Sequence, residues 1–450
     1  MQLSIDQILQ ATGGSTVRSD TPGSDLRIEG VSTDSRTVAP GNLFVPLRAE
    51  RDGHDFIDAA RAAGAVAHLT ERDDDRPGAV RVADTAAALM DLGRLARTLL
   101  PDRLIGVTGS SGKTTTKDMI SAVLARRGPH VRSDKSFNNE IGVPLTLLNA
   151  PGDSWAGIIE MGARGIGHIA KLMGIARPRV GIALNVGRAH VGMYADGQLG
   201  IARAKGEIVE GLPVGGVAVL NADDPLVIAM ANRTRADILR FSTTGKDAEI
   251  SAQSIVLGAD LRASFVMHTP WGSAQVRLGV PGEHQPANAL AAVAACGAVG
   301  STLDEIVAGL SEAQLSPWRM ELLVAADGYR LLNDSYNANP ESMAAGLRSL
   351  AAMPARRRVA VLGEMAELGV QTGAGHAEVA ALAAALGVEV IAVGSAPYGV
   401  ASVASGVEEA AALLAALDLG PDDAVLLKAS RVAGLERLAR LLAPGPGSDR

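Results

Sequence analysis

LIGVTGSSGKTTTK, residues 104–117, decides how this chain is read. A short apolar run leads into a Gly/Ser turn, and Lys-Thr-Thr then opens a helical pattern. Strand, small-residue loop and helix N-terminus together form a nest for phosphates. The backbone N–H groups of the loop point inward where larger side chains would block approach, and the helix dipole favours a bound anion. Thr108, Gly109, Ser110, Ser111, Gly112, Lys113, Thr114 and Thr115 are the expected cradle, with Lys113 reaching the outer phosphates and the Thr114 hydroxyl suited to Mg²⁺. Val107 stands where the generic pattern has its first Gly, so this is the shorter T-G-x-x-G-K-T form. The plain alternative is a Gly/Ser turn with an incidental lysine, which the strand–turn–helix context disfavours.

Working outward, residues 104 to about 310 alternate strand-like and helix-like runs, the strands being LIGVTG, GIIEMG, VGIALNV and GVAVLN. Such alternation predicts a mainly parallel sheet with helices on its faces and chemistry at the carboxyl ends of the strands. After Ser316-Pro317 a second α/β series begins with YRLLNDSY, RRVAVLGEM, VEVIAVG and AVLLKAS, so Pro317 is the candidate hinge. The first hundred residues are mixed, with helical starts at Ser4 and near 54–63. Between these lies a turn-rich passage, STDSRTVAPGNLFVPL (32–47), that feeds a short apolar strand. The expected architecture is α/β in three domains: a small mixed domain (1–101), a central phosphate-loop domain with a parallel sheet (102–314), and a C-terminal Rossmann-like α/β domain (315–450). The Pro/Gly/Ser tail at 444–450 reads as frayed.

Composition narrows the class. A formal charge of −7 argues against a general nucleic-acid binder, and Arg356-Arg357-Arg358 reads as a solvated approach to a strand. Cys296 is the single cysteine, excluding an internal disulfide and a cysteine metal cluster, and its Ala-rich setting predicts a small buried hydrophobe. MQLSIDQILQ lacks the basic region and apolar core of a signal peptide. The uncharged stretches 286–303 and 390–407 are broken by Pro, Ser, Gly or Asn, so no membrane insertion is expected. A cytoplasmic protein follows, with a monomer as the simplest expectation.

Three further groups carry chemistry. Glu160 ends the strand GIIEMG, where a carboxylate near bound phosphates suits Mg²⁺. His190 follows the next strand in NVGRAHVG, and Lys205 lies beyond it in ARAKGEIVEGL. Taken singly, a loop histidine is more often structural and a helical lysine more often solvated.

Together, TGSSGKT (108–114), EMGA (160–163), NVGRAH (185–190) and AKGE (204–207) resemble the ATP-dependent Mur ligases, which build the peptide stem of the bacterial cell-wall precursor. The likeness continues through HQPANA (284–289), PWRME (317–321) and NDSYNANPESM (333–343), so it spans all three segments. SFNNEIGVPLTL (136–147), DSYNANPESM and VLGEMAELG (361–369) are similar to the motifs of the member that completes the stem with a D-Ala-D-Ala dipeptide. The D-N-P-R pattern associated with diaminopimelate recognition in the preceding ligase does not occur. Two positions depart from the family: Glu364 stands where Asp is more usual, and Lys428-Ala-Ser-Arg431 replaces K-G-S-R.

The resemblance implies ATP and two Mg²⁺ ions, with UDP-MurNAc-tripeptide and D-Ala-D-Ala as substrates. The tripeptide carboxylate is activated as an acyl phosphate and captured by the dipeptide amine. Lys113, Glu160, His190, Lys205 and Arg319 would carry catalysis; Thr114 and Glu160 would hold one ion and His190 the other, with Lys205 carbamylated because an ammonium would repel the metal. Asn288, with His284 nearby, would contact adenine, Arg319 the γ-phosphate and Asp334 the ribose. Asn138 and Asn139 would contact the muramoyl peptide. Asn337 is a further substrate candidate, although it and Asn339 also fit plain turn chemistry. Ser35 and Arg36 are the candidates for the uridine end.

Rival readings stay open. A neighbouring Mur ligase or a folylpolyglutamate synthase shares the loop and the Glu/His/Lys set, although the STDSR and FNNEIG passages disfavour the folate enzyme. A phosphate-loop kinase would need neither the carbamylated lysine nor the third α/β segment. A GTPase would need N-K-x-D, and Asn221-Ala-Asp223-Asp224 lacks the lysine. Gly162-x-x-Gly165-x-Gly167 does not have dinucleotide-loop spacing.

Overall fold

The structure, a computed structural model, describes residues 1–16, 26–134, 137–395 and 397–444. Ser136, the first residue of the SFNNEIG motif, and tail residues 445–450 lie outside the described residues.

The apolar run before the glycine loop forms the strand Leu104–Thr108, buried along its whole length. It lies inside a nine-stranded sheet between Val180–Ala183 and Gly157–Glu160. Both pairings are parallel. Glu160 stands opposite Val107 and Ala183 opposite Thr108, so the carboxyl ends of three strands come level beside the loop. Val217–Asn221 and Asp237–Ser242 extend the sheet in parallel on one side, and Val131–Arg132 on the other. The parallel core is as expected.

Beyond it the structure adds three long strands, Ile250–Leu257, Arg262–Thr269 and Gly272–Pro281, the last two pairings antiparallel. These do not follow the strand–helix alternation read from the sequence. Their alternating pattern buries Ala263, Phe265 and Met267 on one strand and Val276, Leu278 and Val280 on the next. That face packs in one cluster with Leu290, Val293 and Ile306 of the helices Gln285–Ala298 and Leu303–Glu312. Cys296 is fully buried there as a free thiol.

Residues before the loop form a five-stranded sheet in the order Ser15–Thr16, Ala79–Arg81, Ala67–Thr70, Leu43–Phe44, Val31–Ser32. Ser4 starts the first helix, Ile5–Thr12, through a reciprocal bond with Gln7, and Asp84 caps Thr85–Thr98 by accepting from the Ala86 and Ala87 amides. Leu43–Phe44 is the strand expected after the turn-rich passage. This segment is bonded closely to the central sheet. The Asn149 side chain joins both the N–H and the C=O of Val31, at 2.9 Å each. Arg97, largely buried, donates to the carbonyls of Ala176, Arg177, Leu100 and Pro101.

Residues after Pro317 form a six-stranded sheet ordered Glu321–Val324, Arg330–Asn333, Ala424–Lys428, Arg358–Leu362, Glu389–Val393, Val403–Ala404. Only the first pairing is antiparallel. Arg356 and Arg357 of the basic run pair with Asp423 and Glu389, while Arg358 donates to the Met353 carbonyl. Next to Pro317, the Ser316 N–H and hydroxyl bond Asp118 on the phosphate-loop helix Lys113–Ala125. Trp318 and Met320 flank Arg319 with φ of 63° and 49°, a left-handed backbone that side chains rarely adopt. No helix among the described residues is long and apolar enough to cross a membrane.

Candidate active site

The glycine loop is built as a cradle. Gly112 has φ 81°, and a Cβ there would lie 2.5 Å from the Asn288 Oδ1, so both backbone and space require glycine. The first intrahelical bond after the loop is Thr116 N–H to the Gly112 carbonyl, which leaves the amides of Gly112 to Thr115 at the helix N-terminus without an intrahelical acceptor. Asn185 braces the loop from below, its carbonyl accepting from the Ser110 N–H (3.1 Å) and its side chain from the Ser111 N–H (2.9 Å). Lys113 folds back with its Nζ 2.7 Å from the Gly109 carbonyl, and burial lowers its pKa against the raising effect of Glu160.

Around this cradle lies a cavity of about 680 Å³ walled by the central and C-terminal sheets. Ser110, Ser111, Gly112, Lys113, Thr114, Thr115, Glu160, His190, Lys205, His284, Asn288, Arg319 and Asp334 all line it, as do Asn138, Asn139 and Asn337. Thr108 and Gly109 lie behind the lining, Thr108 fully buried in its strand. Ser35 and Arg36 stand apart from this wall, in the N-terminal segment, where the exposed Arg36 is paired with Asp34.

Two pieces of the wall have the chemistry of a hard-cation site. The Thr114 hydroxyl donates to Glu160 Oε2 at 2.8 Å, and Asn138 Nδ2 donates to Oε1 at 2.9 Å, which fixes the carboxylate next to a second oxygen donor. Asn138 thus orients Glu160, while Asn139 accepts from the Ile141 and Gly142 amides at the start of the helix Gly142–Leu148. Lys205, on the helix Gly197–Glu210, is 6 % exposed and has no acidic partner among the described residues. Burial, assisted by Lys113, holds its pKa well below the ordinary lysine range. Burial favours the uncharged amine, the form that adds CO₂, and the resulting carbamate would supply a further anionic oxygen beside Glu160. These residues therefore fit a divalent cation. His190, with φ 63°, pairs with Glu367 across the cavity, and burial lowers its pKa.

The far wall comes from the third segment. Asp334 accepts from the Met320 N–H and pairs with Lys428, whose Nζ also donates to the Asn337 carbonyl at 3.1 Å. Arg319 lies 4.0 Å over the Tyr336 ring, its Nε buried without a partner. His284 precedes the helix Gln285–Ala298, and burial pushes its pKa down to about 4. Asn339 caps the helix Pro340–Ala352 with Ser342, which is the turn chemistry expected of it. The sequence reading gave no role to Asn185, Glu341, Glu367 or Lys428, all of which line the cavity. Each lies inside a quoted motif, NVGRAH, NDSYNANPESM, VLGEMAELG or the K-A-S-R run, but the motif alone did not single it out.

This arrangement defines an α/β enzyme with a phosphate cradle facing a second α/β sheet. The Mur ligase middle domain matches residues 107–296, the Mur ligase glutamate ligase domain 318–431, and the Mur ligase family catalytic domain 27–93. The chain belongs to the Mur ligase family. It is 40 % identical over 434 residues to the UDP-N-acetylmuramoyl-tripeptide–D-alanyl-D-alanine ligase of Escherichia coli (strain K12), covering 93 % of this chain and 95 % of that one. Among solved structures it is similar to MurF from Acinetobacter baumannii, with TM-score 0.89 and 33 % identity over 98 % of this chain and 99 % of that one. It also resembles the MurF ligase of Thermotoga maritima in complex with ADP, with TM-score 0.81 and 28 % identity over 92 % and 96 % of the two chains.

Proposed function

We propose that the chain is an ATP-dependent ligase that joins D-alanyl-D-alanine to UDP-N-acetylmuramoyl-tripeptide in the cytoplasm, yielding the UDP-linked pentapeptide of peptidoglycan synthesis. The tripeptide's terminal carboxylate attacks the γ-phosphorus of ATP. An acyl C–O–P linkage forms as the β,γ bond breaks, and ADP departs. The dipeptide amine then attacks the acyl carbon, and the tetrahedral adduct expels phosphate as the amide forms and the nitrogen loses its proton. The physical obstacle is bringing a carboxylate up to a polyanion, so counter-charge and positioning carry the catalysis.

The observation that carries this reading is the single cavity holding the cradle, the Thr114–Glu160 pair and the unpaired Lys205 opposite Arg319 and Asp334. Lys113 and the helix N-terminus hold the phosphates. Thr114 and Glu160 would hold one Mg²⁺, and His190 with carbamylated Lys205 the other; when bound, the ions supply the positive charge that lets carboxylate and γ-phosphate approach. Arg319 neutralises the transferring phosphoryl group, Asn288 and His284 border the adenine, and Asp334 the ribose. Asn138, Asn139 and Asn337 face the peptide end, and Ser35 with Arg36 the uridine end. The chain acts as a monomer of three domains, 1–101, 102–314 and 315–450, which close about Pro317 and exclude water from the acyl phosphate.

Coupled ADP release with UDP-linked tripeptide tests the reading. D-Ala-D-Ala should support turnover, whereas diaminopimelate, lysine and glutamate should not. Turnover with glutamate on a folate substrate, or with a single amino acid on a shorter stem, would overturn it.

A further inference from the structure

The loop 185–193 joins the strand Val180–Ala183 to the helix Gly197–Glu210, and it touches both walls of the cavity. On its inner side it is tied to the phosphate cradle: the Gly187 N–H donates to Ser110 Oγ at 2.9 Å, alongside the Asn185 bonds. On its outer side Arg188 bridges two helices of the C-terminal segment. Its backbone N–H and Nε both donate to Glu341 Oε1, at 3.2 and 3.0 Å. Its Nη1 and Nη2 grip Glu378 as a two-pronged pair at 2.7 and 3.0 Å. Glu341 opens the helix Pro340–Ala352, and Glu378 lies on Thr372–Ala385. The approach is close throughout, since a Cβ on Gly192 would meet Gly369 Cα at 3.0 Å and one on Gly187 would meet Glu341 at 2.9 Å.

We propose that Arg188 is a positioning residue that latches the C-terminal segment onto the cradle loop, so that docking and the placement of His190 occur as one event. The inference rests on the ligase reading for its kinetic consequence, but the latch itself does not. Three features support it. One guanidinium satisfies two carboxylates on separate helices, so release of either helix strands charge. The missing side chains of two loop glycines leave room for the close approach, Gly192 for the backbone of Gly369 and Gly187 for the Glu341 side chain. His190 lies two residues along the same loop and pairs with Glu367 from the same segment, so a displaced Arg188 draws His190 away from Lys113 and Lys205.

The latch has a signature that a purely structural arginine lacks. Its side chains remain open to solvent, Arg188 at 31 %, Glu341 at 36 % and Glu378 at 58 %, so salt should loosen it. X-ray scattering of the MgADP-bound chain should show the native protein expanding as salt rises from about 0.02 to about 0.5 M. Arg188→Ala should be expanded at both ends of the range. Arg188→Lys, which keeps the charge but cannot grip both carboxylates, should lie between the native chain and Arg188→Ala. In turnover, Arg188→Ala should lower kcat about tenfold and abolish its salt dependence, leaving KM for the UDP substrate and the thermal midpoint unchanged. The scattering needs no turnover, so a failure of the ligase reading would leave it informative. Identical scattering and identical salt profiles for native and Arg188→Ala chains would overturn the latch.

Discussion

The central sheet is joined to its two neighbours by different physics. On the N-terminal side the junction is mostly desolvated: Arg97 donates to four main-chain carbonyls and to Asp102, Asn149 closes both polar groups of Val31, and a Cβ on Gly93 would lie 2.8 Å from the Pro144 ring. On the C-terminal side, beside a shared apolar cluster, the polar contacts include charge pairs open to water, Arg188 with Glu341 and Glu378, together with the Ser316–Asp118 anchor next to Pro317. Buried main-chain bonds are lost only with the fold, whereas exposed ion pairs contribute little stability and yield to salt. The first junction therefore acts as a weld and the second as a clasp, and the cavity lies beside the clasp.

Substitutions in the cavity and at each junction should differ in size. The largest change should come from inside the cavity. Lys205→Ala should reduce kcat about a thousandfold, with partial recovery on adding a short carboxylate such as acetate. Full activity in that variant would remove Lys205 from the metal site. Next comes the weld. Arg97→Ala leaves buried carbonyls unpaired and should lower unfolding stability by about 3 kcal/mol in urea titration, with only a weak salt dependence. A loss no greater than that of Arg188→Ala, expected below about 1 kcal/mol, would erase the distinction between the junctions. Asn149→Ala, which removes the Val31 bonds, should destabilise by about 1–2 kcal/mol in the same titration.

A pH dependence comes from the cavity wall. His284 is held neutral by burial, with its pKa pushed down from 6.5 to about 4. The unfolded chain takes up a proton below about 6.5 that the folded chain refuses until about 4, so stability should fall as pH drops through that window. His284→Gln should flatten the slope of urea midpoint against pH between those values. An unchanged slope would mean that another group sets it.

Local patterns made part of this legible in the sequence. The cradle, the strands ending at Thr108, Glu160 and Ala183, and the helix bearing Lys205 all follow from short runs whose periodicity and glycines act within a few residues. The antiparallel strands at 250–281 were harder, because the alternation of Phe265 and Met267 acquires meaning only when the later helix Gln285–Ala298 supplies the covering face. Partners such as Arg188–Glu378 and Lys428–Asp334 were invisible for the same reason: charge alone does not say which distant residue will face it. Asn138 shows the limit from the other side. The motif marked it, but only the fold reveals that its amide fixes Glu160.

Carboxylate activation by phosphoryl transfer in the cavity around Lys113, Glu160 and Lys205 is the chemistry on which the proposed function turns. Turnover with UDP-linked tripeptide labelled with ¹⁸O in its terminal carboxylate reads this directly. One labelled oxygen should appear in each phosphate released together with the amide product; release of unlabelled phosphate would contradict it.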